Sequence, residues 1–232
     1  MPMTLVGGAL GQSAMGRMPL ASAPVPPLLI RQVIASSSSS LIVPEDCLAD
    51  VFAFGAGGGG ASVTGASIGG GGGGSAGYSR VLFPARAVSA WTIGRGGTSV
   101  GYPGSDVPGV NGADTTVSLS GVLLGTAQGG RGGVTSGLAA RSFASGFQFN
   151  RYGGGGGEAG EFGGASGSAR GGGGGGFSDM FGGVVPGDGG EATSAGVPYT
   201  AALGGGGGGG VLQRYSGYGG SGLVVINMYR LG

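Results

Sequence analysis

Short runs of alternating apolar residues recur along this chain, and the clearest of them leads directly into glycine. It comprises residues 49–54, with the sequence ADVFAF. Successive side chains of an extended strand point to opposite faces, so Val51 and Ala53 share one face while Phe52 and Phe54 share the other. Because both faces carry apolar groups, we predict a strand that is at least partly buried on both sides.

The same kind of pattern predicts further strands. Short β-branched or aromatic runs bounded by glycine or proline are typical of strands. The predicted strands are residues 41–43, 49–54, 77–84, 88–93, 115–124 and 219–229, with a short hairpin arm at 141–152. No segment has a convincing helical pattern. We therefore predict a mainly β fold of short antiparallel strands with essentially no α-helix, in which residues 51–54 pair with residues 223–226.

Glycine supplies 65 of the 232 residues, much of it in uninterrupted runs. The longest runs are residues 57–60, 69–74, 153–157, 171–176 and 204–210. Fixing a glycine backbone costs more conformational entropy than fixing any other residue, so ordered runs need compensating interactions. A glycine run can adopt a threefold extended helix whose peptide groups all point outward and can bond to neighbouring runs. We predict a packed layer of such polyglycine II helices, the alternative being flexible linkers.

The charged residues are few and nearly balanced. The formal net charge is +1, from 11 basic residues that are all arginine and 10 acidic residues, and histidine is absent. Nucleic-acid binding normally requires clustered basic side chains, so no such partner is expected. Without histidine, the commonest general base and metal ligand is missing. We find no catalytic constellation and expect no enzymatic activity, no cofactor and no metal. The lone Cys47 is interpreted as a small buried hydrophobic residue.

Residues 1–40 differ in composition from the rest of the chain. Proline and glycine interrupt residues 1–34, so neither a signal peptide nor a membrane-inserted segment is expected. We interpret residues 1–35 as an extended arm, which is either a disordered leader or a docking arm. The serine run 36–40 marks the boundary to a glycine-rich domain at residues 41–232. The apolar anchors of a docking arm would be Leu28, Leu29, Ile30, Val33 and Ile34.

Several segments follow one another as they do in a known family. They are LIVP at 41–44, VFAFGAGGGG at 51–60, GY at 77–78, WTIG at 91–94, GADTT at 112–116 and GLVVI at 222–226. In this order they resemble the glycine-rich domain of bacteriophage tail fibres and other virion proteins. The chain departs from that family at residues 84–87, PARA, where Pro-Gly is common. The resemblance implies a compact domain of strands and polyglycine helices, similar to the tip adhesins of some tail fibres.

The resemblance also implies a function, a location and partners. It implies a non-enzymatic virion protein of a tail fibre or spike that attaches to the host through loops between glycine helices. The alternative is a structural or decoration protein with the same fold and no receptor contact. The partners would be other virion proteins, through residues 1–35, and a host receptor that is an outer-membrane protein or a glycan. The arm allows a homotrimer.

Receptor contacts are expected from aromatic and charged residues in loops, since the glycine runs lack side chains. The candidates are Tyr102, Asp106, Arg151, Tyr152, Phe177, Asp179, Met180, Phe181, Tyr199, Arg214, Tyr215 and Tyr218.

Overall fold

The computed structural model shows a chain of strands and extended segments. It describes residues 28–63, 69–98, 107–136, 139–156, 210–211 and 216–231. Within these ranges no helix occurs, so the predicted mainly β fold is confirmed.

The strands of the described residues form two antiparallel sheets and one short parallel pair. In chain order they are β1 (Leu29–Ala35), β2 (Ser39–Ile42), β3 (Cys47–Phe54), β4 (Ser62–Val63), β5 (Ala76–Phe83), β6 (Val88–Thr92), β7 (Thr115–Leu119), β8 (Val122–Ala127), β9 (Phe149–Arg151), β10 (Gly210–Val211) and β11 (Leu223–Arg230). The larger sheet has five strands in the order β1-β11-β3-β5-β9, and the smaller has four in the order β2-β6-β7-β8. Strands β4 and β10 pair in parallel.

Strand β3 occupies the centre of the larger sheet, between β11 and β5. Val51 is the register partner of Ile226, and Phe54 is the partner of Leu223. The predicted pairing of residues 51–54 with 223–226 is therefore confirmed. Val51 and Phe52 are both fully buried although their side chains point to opposite faces. The prediction of a strand buried on both sides is also confirmed.

Two apolar clusters flank β3. On one face, Val51 belongs to a large cluster that includes Trp91 of β6 and Val117 of β7, so this cluster joins the two sheets. On the other face, Phe52 belongs to a smaller cluster with Tyr78. The rings of Phe52 and Tyr78 are stacked, with centroids 4.9 Å apart. Each large apolar side chain buried in this way contributes about 1.5–3 kcal/mol.

The segment predicted as one strand over residues 115–124 is a hairpin instead. Strands β7 and β8 pair with each other, and the turn between them is Ser120-Gly121. Both turn residues have positive φ, 50° at Ser120 and 80° at Gly121. Two-residue turns with positive φ at both positions match the twist of paired strands. The single-strand prediction was wrong because an exposed Ser-Gly turn interrupts the apolar run by only two residues.

The predicted hairpin arm at 141–152 folds back on itself and joins the larger sheet. Phe143 forms an isolated antiparallel bridge with Tyr152, and β9 pairs with the edge of β5. Phe147 is buried between the sheets. Its ring lies against Gly77 of β5 and Gly125 of β8, where a Cβ on either glycine would overlap the ring.

Part of the predicted N-terminal arm lies on the edge of the larger sheet. Strand β1 pairs with β11 and ends at Ala35, just before the serine run. Ile30 and Val33 pack against the core, whereas Leu28, Leu29 and Ile34 are exposed. The division of the chain at residue 40 and the docking role of the arm stay predictions, and residues 1–27 lie outside the described ranges.

Candidate functional site

The sheets continue into a set of extended, glycine-rich segments that we call the glycine layer. Its described segments are residues 55–61, 69–75, 93–98, 107–114, 128–134, 139–142, 152–156 and 216–222. These segments are not β-strands, yet backbone hydrogen bonds join each of them to its neighbours. The layer is therefore held by peptide groups instead of by an apolar core.

Hydrogen bonds of segment 55–61 repeat every third residue. The N–H groups of Gly55, Gly58 and Ala61 donate to carbonyls of segment 69–75, at 2.8, 2.9 and 2.6 Å. The next set, Ala56 and Gly59, donates to Ala113 and Val110, and the third set, Gly57 and Gly60, donates to Gly220 and Gly217. Three residues per turn is the period of a polyglycine II helix. That helix type itself stays a prediction.

Carbonyl groups of the same segment accept bonds from two further neighbours. Gly130 donates to Ala56 at 2.6 Å, and Gly97 donates to Gly57 at 2.8 Å. Segment 55–61 thus contacts five others: residues 69–75, 107–114, 216–222, 128–134 and 93–98. Such close approach excludes side chains. A Cβ on Gly59, for example, would overlap the Thr98 carbonyl.

The layer is built from four pairs of segments that run out from the sheets and back. Segment 55–61 leaves β3, and 69–75 returns to β5 in an antiparallel register. The other pairs are 93–98 with 107–114, between β6 and β7; 128–134 with 139–142, after β8; and 152–156 with 216–222, between β9 and β11. In all four pairs, the described chain ends at which one segment leaves and the next returns therefore lie at the same end of the layer, which is the end farthest from the sheets.

We call this the distal end. Described residues near the distal end form backbone hydrogen bonds between different pairs of segments. Gly60 donates to Gly217, Gly133 donates to Gly59, and Gly109 donates to Gly133. Gly156 donates to Ala139 at 3.0 Å. The chain ends that flank different connections therefore lie next to one another at the distal end, although they are far apart in sequence.

Most of the predicted contact residues belong to these connections. Tyr102 and Asp106 lie between segments 93–98 and 107–114. The segment between 152–156 and 216–222 contains Phe177, Asp179, Met180, Phe181, Tyr199, Arg214 and Tyr215. All of these residues lie outside the described ranges, so only the chain ends that hold them can be located, and those are at the distal end.

Three of the predicted contact residues are described, and they do not form one site. Tyr218 is exposed and follows Gly217, which places it near the distal end. Arg151 and Tyr152 lie where β9 enters the layer, on the sheet side. The ring of Tyr152 packs on Phe143 with centroids 4.6 Å apart. The structure therefore separates Tyr218 from the other two along the layer.

An ion pair between the buried Asp50 and the partly exposed Arg80 was not predicted from the sequence. Asp50 of β3 is only 3% exposed. Its carboxylate accepts hydrogen bonds from Arg80 at 2.7 and 2.8 Å and from the Tyr78 hydroxyl at 2.8 Å. Burial and the bond to Asp50 raise the pKa of Tyr78 to about 12, and the bond to Asp50 raises the pKa of Arg80. An acidic residue in the middle of an apolar strand was the available signal, since a buried charge needs a partner.

Cys47 is buried in the cluster between the sheets, which confirms its interpretation as a small buried hydrophobic residue. Burial, followed by the negative charges of Glu45 and Asp46, raises the pKa of its thiol. The thiolate is the nucleophilic form, so this cysteine is poorly suited to covalent chemistry.

Neither a metal centre nor a membrane helix emerges from the part of the chain that the structure describes. No group of three or more Cys, Asp or Glu side chains there could hold a metal ion. The same residues include no helix that is long and apolar enough to cross a membrane.

The two sheets and the glycine layer together define a glycine-rich β protein, in which the sheets continue into a layer that has few side chains. A family model described as a glycine-rich domain matches residues 34–229. The chain therefore belongs to this glycine-rich domain family. No curated protein matches the sequence.

Proposed function

We propose that this is a non-enzymatic virion protein, in a tail fibre or spike, that attaches to a host receptor through the distal end of its glycine layer. The observation that carries the proposal is the grouping, at that end, of the described chain ends that flank all four connections. Connecting segments on a rigid support are the usual carriers of binding residues. The virion assignment comes from the resemblance to tail-fibre domains.

The glycine layer suits such a role because it needs few side chains for its own stability. Its segments bond through peptide groups in several directions, as Gly58 does with Gly72 and Gly59 with Val110. We propose that these segments are polyglycine II helices, and their three-residue bonding repeat supports this. On such a support, the connections can vary in sequence while the layer keeps its form.

The opposite end of the molecule suits attachment to the particle. Strand β11 runs away from the layer and ends at Arg230, whose N–H donates to the Leu28 carbonyl at 2.9 Å. Residues 1–27 therefore join the described chain at the end opposite the connections. This arrangement supports docking of residues 1–35 to other virion proteins while the distal end faces the host.

Competition for host cells tests the proposal. Cells are incubated with purified full-length protein, and particles that carry the protein are then added. We expect saturable binding of the protein to cells and a fall in infection. Replacing residues 99–106 with a Gly-Ser segment of equal length should abolish both effects, as should Tyr218→Arg combined with Val110→Arg near the distal end.

The control is Val122→Arg. Val122 is 68% exposed beside the β7–β8 turn, at the sheet end of the molecule. This variant should bind cells as the unaltered protein does. Absence of competition at saturating protein would contradict host attachment and favour the structural or decoration role, provided the protein is incorporated into particles.

A further inference from the structure

A polar pocket lies at the junction of the sheets and the glycine layer, away from the distal end. Its volume is about 360 Å³, within the range of small-ligand sites. Three chain segments build it: the link between β1 and β2, the start of segment 93–98, and the last part of segment 216–222. The lining residues are Ser36, Ser37, Ser38, Ile93, Gly94, Arg95 and Ser221.

Hydrogen bonds to structured elements hold the walls of this pocket in place. The Trp91 indole N–H donates to the Ser37 carbonyl at 3.0 Å, and the Ile93 N–H donates to the Ser38 hydroxyl oxygen at 2.9 Å. Gly222, next to Ser221, donates to the Gly94 carbonyl at 2.9 Å. These contacts hold the pocket walls and engage the Ser38 hydroxyl, and they leave the side chains of Ser36, Ser37, Arg95 and Ser221 available.

These side chains are mostly hydrogen-bond donors without partners. Within the described chain, the Arg95 guanidinium forms no hydrogen bond or ion pair, and none is formed by the hydroxyls of Ser36, Ser37 or Ser221. Among the described residues, none that lines the pocket is acidic. An arginine guanidinium pairs well with the two oxygens of a carboxylate or phosphate. Serine hydroxyls both donate and accept, which suits the hydroxyls of a sugar.

We propose that this pocket binds a monosaccharide-sized ligand that carries an oxyanion. Arg95 binds the oxyanion, and the serine hydroxyls bind the ring hydroxyls of the ligand. The oxyanion is either the carboxylate of a sugar acid or the phosphate of a sugar phosphate. The proposal does not depend on host attachment, since the pocket lies at the sheet side of the layer and uses no residue of the connections.

Trp91 supplies an intrinsic probe, because it is the only tryptophan and bonds to the pocket wall. The full-length protein is titrated with glucuronate, glucose 6-phosphate, glucose and inorganic phosphate while tryptophan fluorescence is recorded. We expect saturable binding of glucuronate or glucose 6-phosphate, and their relative affinity distinguishes the two oxyanions. The affinity for neutral glucose should be lower by a factor of about ten or more, because the charge-assisted bonds are missing.

Matched variants locate the site. Arg95→Gln should weaken binding of the charged sugar by about tenfold or more. Arg131→Gln is the control, since Arg131 is exposed but does not line the pocket. Amide NMR shifts should change at residues 36–38 and 93–95, and circular dichroism should show that each variant is folded.

Three results would overturn the proposal. One is the absence of saturable binding by either charged sugar. Another is unchanged affinity in folded Arg95→Gln. The third is equal affinity for inorganic phosphate and glucose 6-phosphate together with no binding of glucuronate, because the serine hydroxyls would then contribute nothing to recognition.

Discussion

Gly58 donates its N–H to the carbonyl oxygen of Gly72 at 2.9 Å, yet the two glycines differ in the space around them. A Cβ on Gly58 would overlap the Arg131 carbonyl. A Cβ on Gly72 would have its nearest neighbour, the Ala140 carbonyl oxygen, at 3.1 Å. Whether a position in the layer requires glycine therefore depends on the space around that position, and the high glycine content of the layer does not by itself show it.

The first prediction follows from this difference. Gly58→Ala should lower the free energy of unfolding by about 3 kcal/mol, because rigid backbone on the neighbouring segment must move to admit a methyl group. Gly72→Ala should cost about 1 kcal/mol or less, since its neighbours need to shift only slightly and the unfolded chain loses entropy. Urea unfolding of both variants checks this. Equal losses in the two variants would contradict the difference in packing between the two positions.

Strand positions were the part of the fold that alternation could predict. Residues 51–54 and 223–226 were paired correctly because each has apolar groups on both faces, which only a central strand requires. Strand β1 has no such pattern. A register shift between Leu29 and Arg31 puts Ile30 and Val33, three residues apart, on the core side, so period-two alternation is lost.

The sites were less predictable because they depend on contacts between distant segments. The pocket combines the serines at 36–38 with Arg95 and Ser221, and no local motif joins these residues. The common position of the four connections depends on which segments run away from the sheets. From loop composition alone, Arg151, Tyr152 and Tyr218 were all predicted as receptor contacts. In the structure Arg151 and Tyr152 lie on the sheet side of the layer, whereas Tyr218 lies near the distal end.

The second prediction concerns the ion pair between Asp50 and Arg80. Arg80→Ala leaves the Asp50 carboxylate without its charged partner in a site that is 3% exposed. We expect a loss of about 2–3 kcal/mol, below the full cost of breaking a buried pair because the Arg80 side chain is 47% exposed. Arg230→Ala is the matched control. It removes the exposed pair with Glu45 and should cost about 0.5 kcal/mol or less. Thermal unfolding should rank the two variants in this order.

The third prediction concerns alkaline pH. The pKa of Tyr78 is raised to about 12, above the usual value near 10 of an unfolded chain. The folded protein therefore holds this proton more tightly, so its contribution to stability is complete below about pH 10 and is lost as the pH rises to about 12. Absorbance at the tyrosinate band should show a late titration step that belongs to Tyr78. Tyr78→Phe should remove that step and flatten the pH dependence of unfolding. An unchanged titration curve would contradict the assignment.

The last prediction tests how the two sheets are joined. Phe147 is 5% exposed, and its ring lies against Gly77 and Gly125, one from each sheet. Phe147→Ala should lower the free energy of unfolding by about 3–5 kcal/mol, because a large cavity would form between elements that cannot close on each other. Phe149→Ala is the control, since Phe149 is 48% exposed, and should cost much less. Hydrogen exchange of the two variants gives a second measurement. If Phe147 joins the sheets, protection should fall in β5 and β8 together, whereas a loss confined to residues 141–152 would show that the arm is an independent unit.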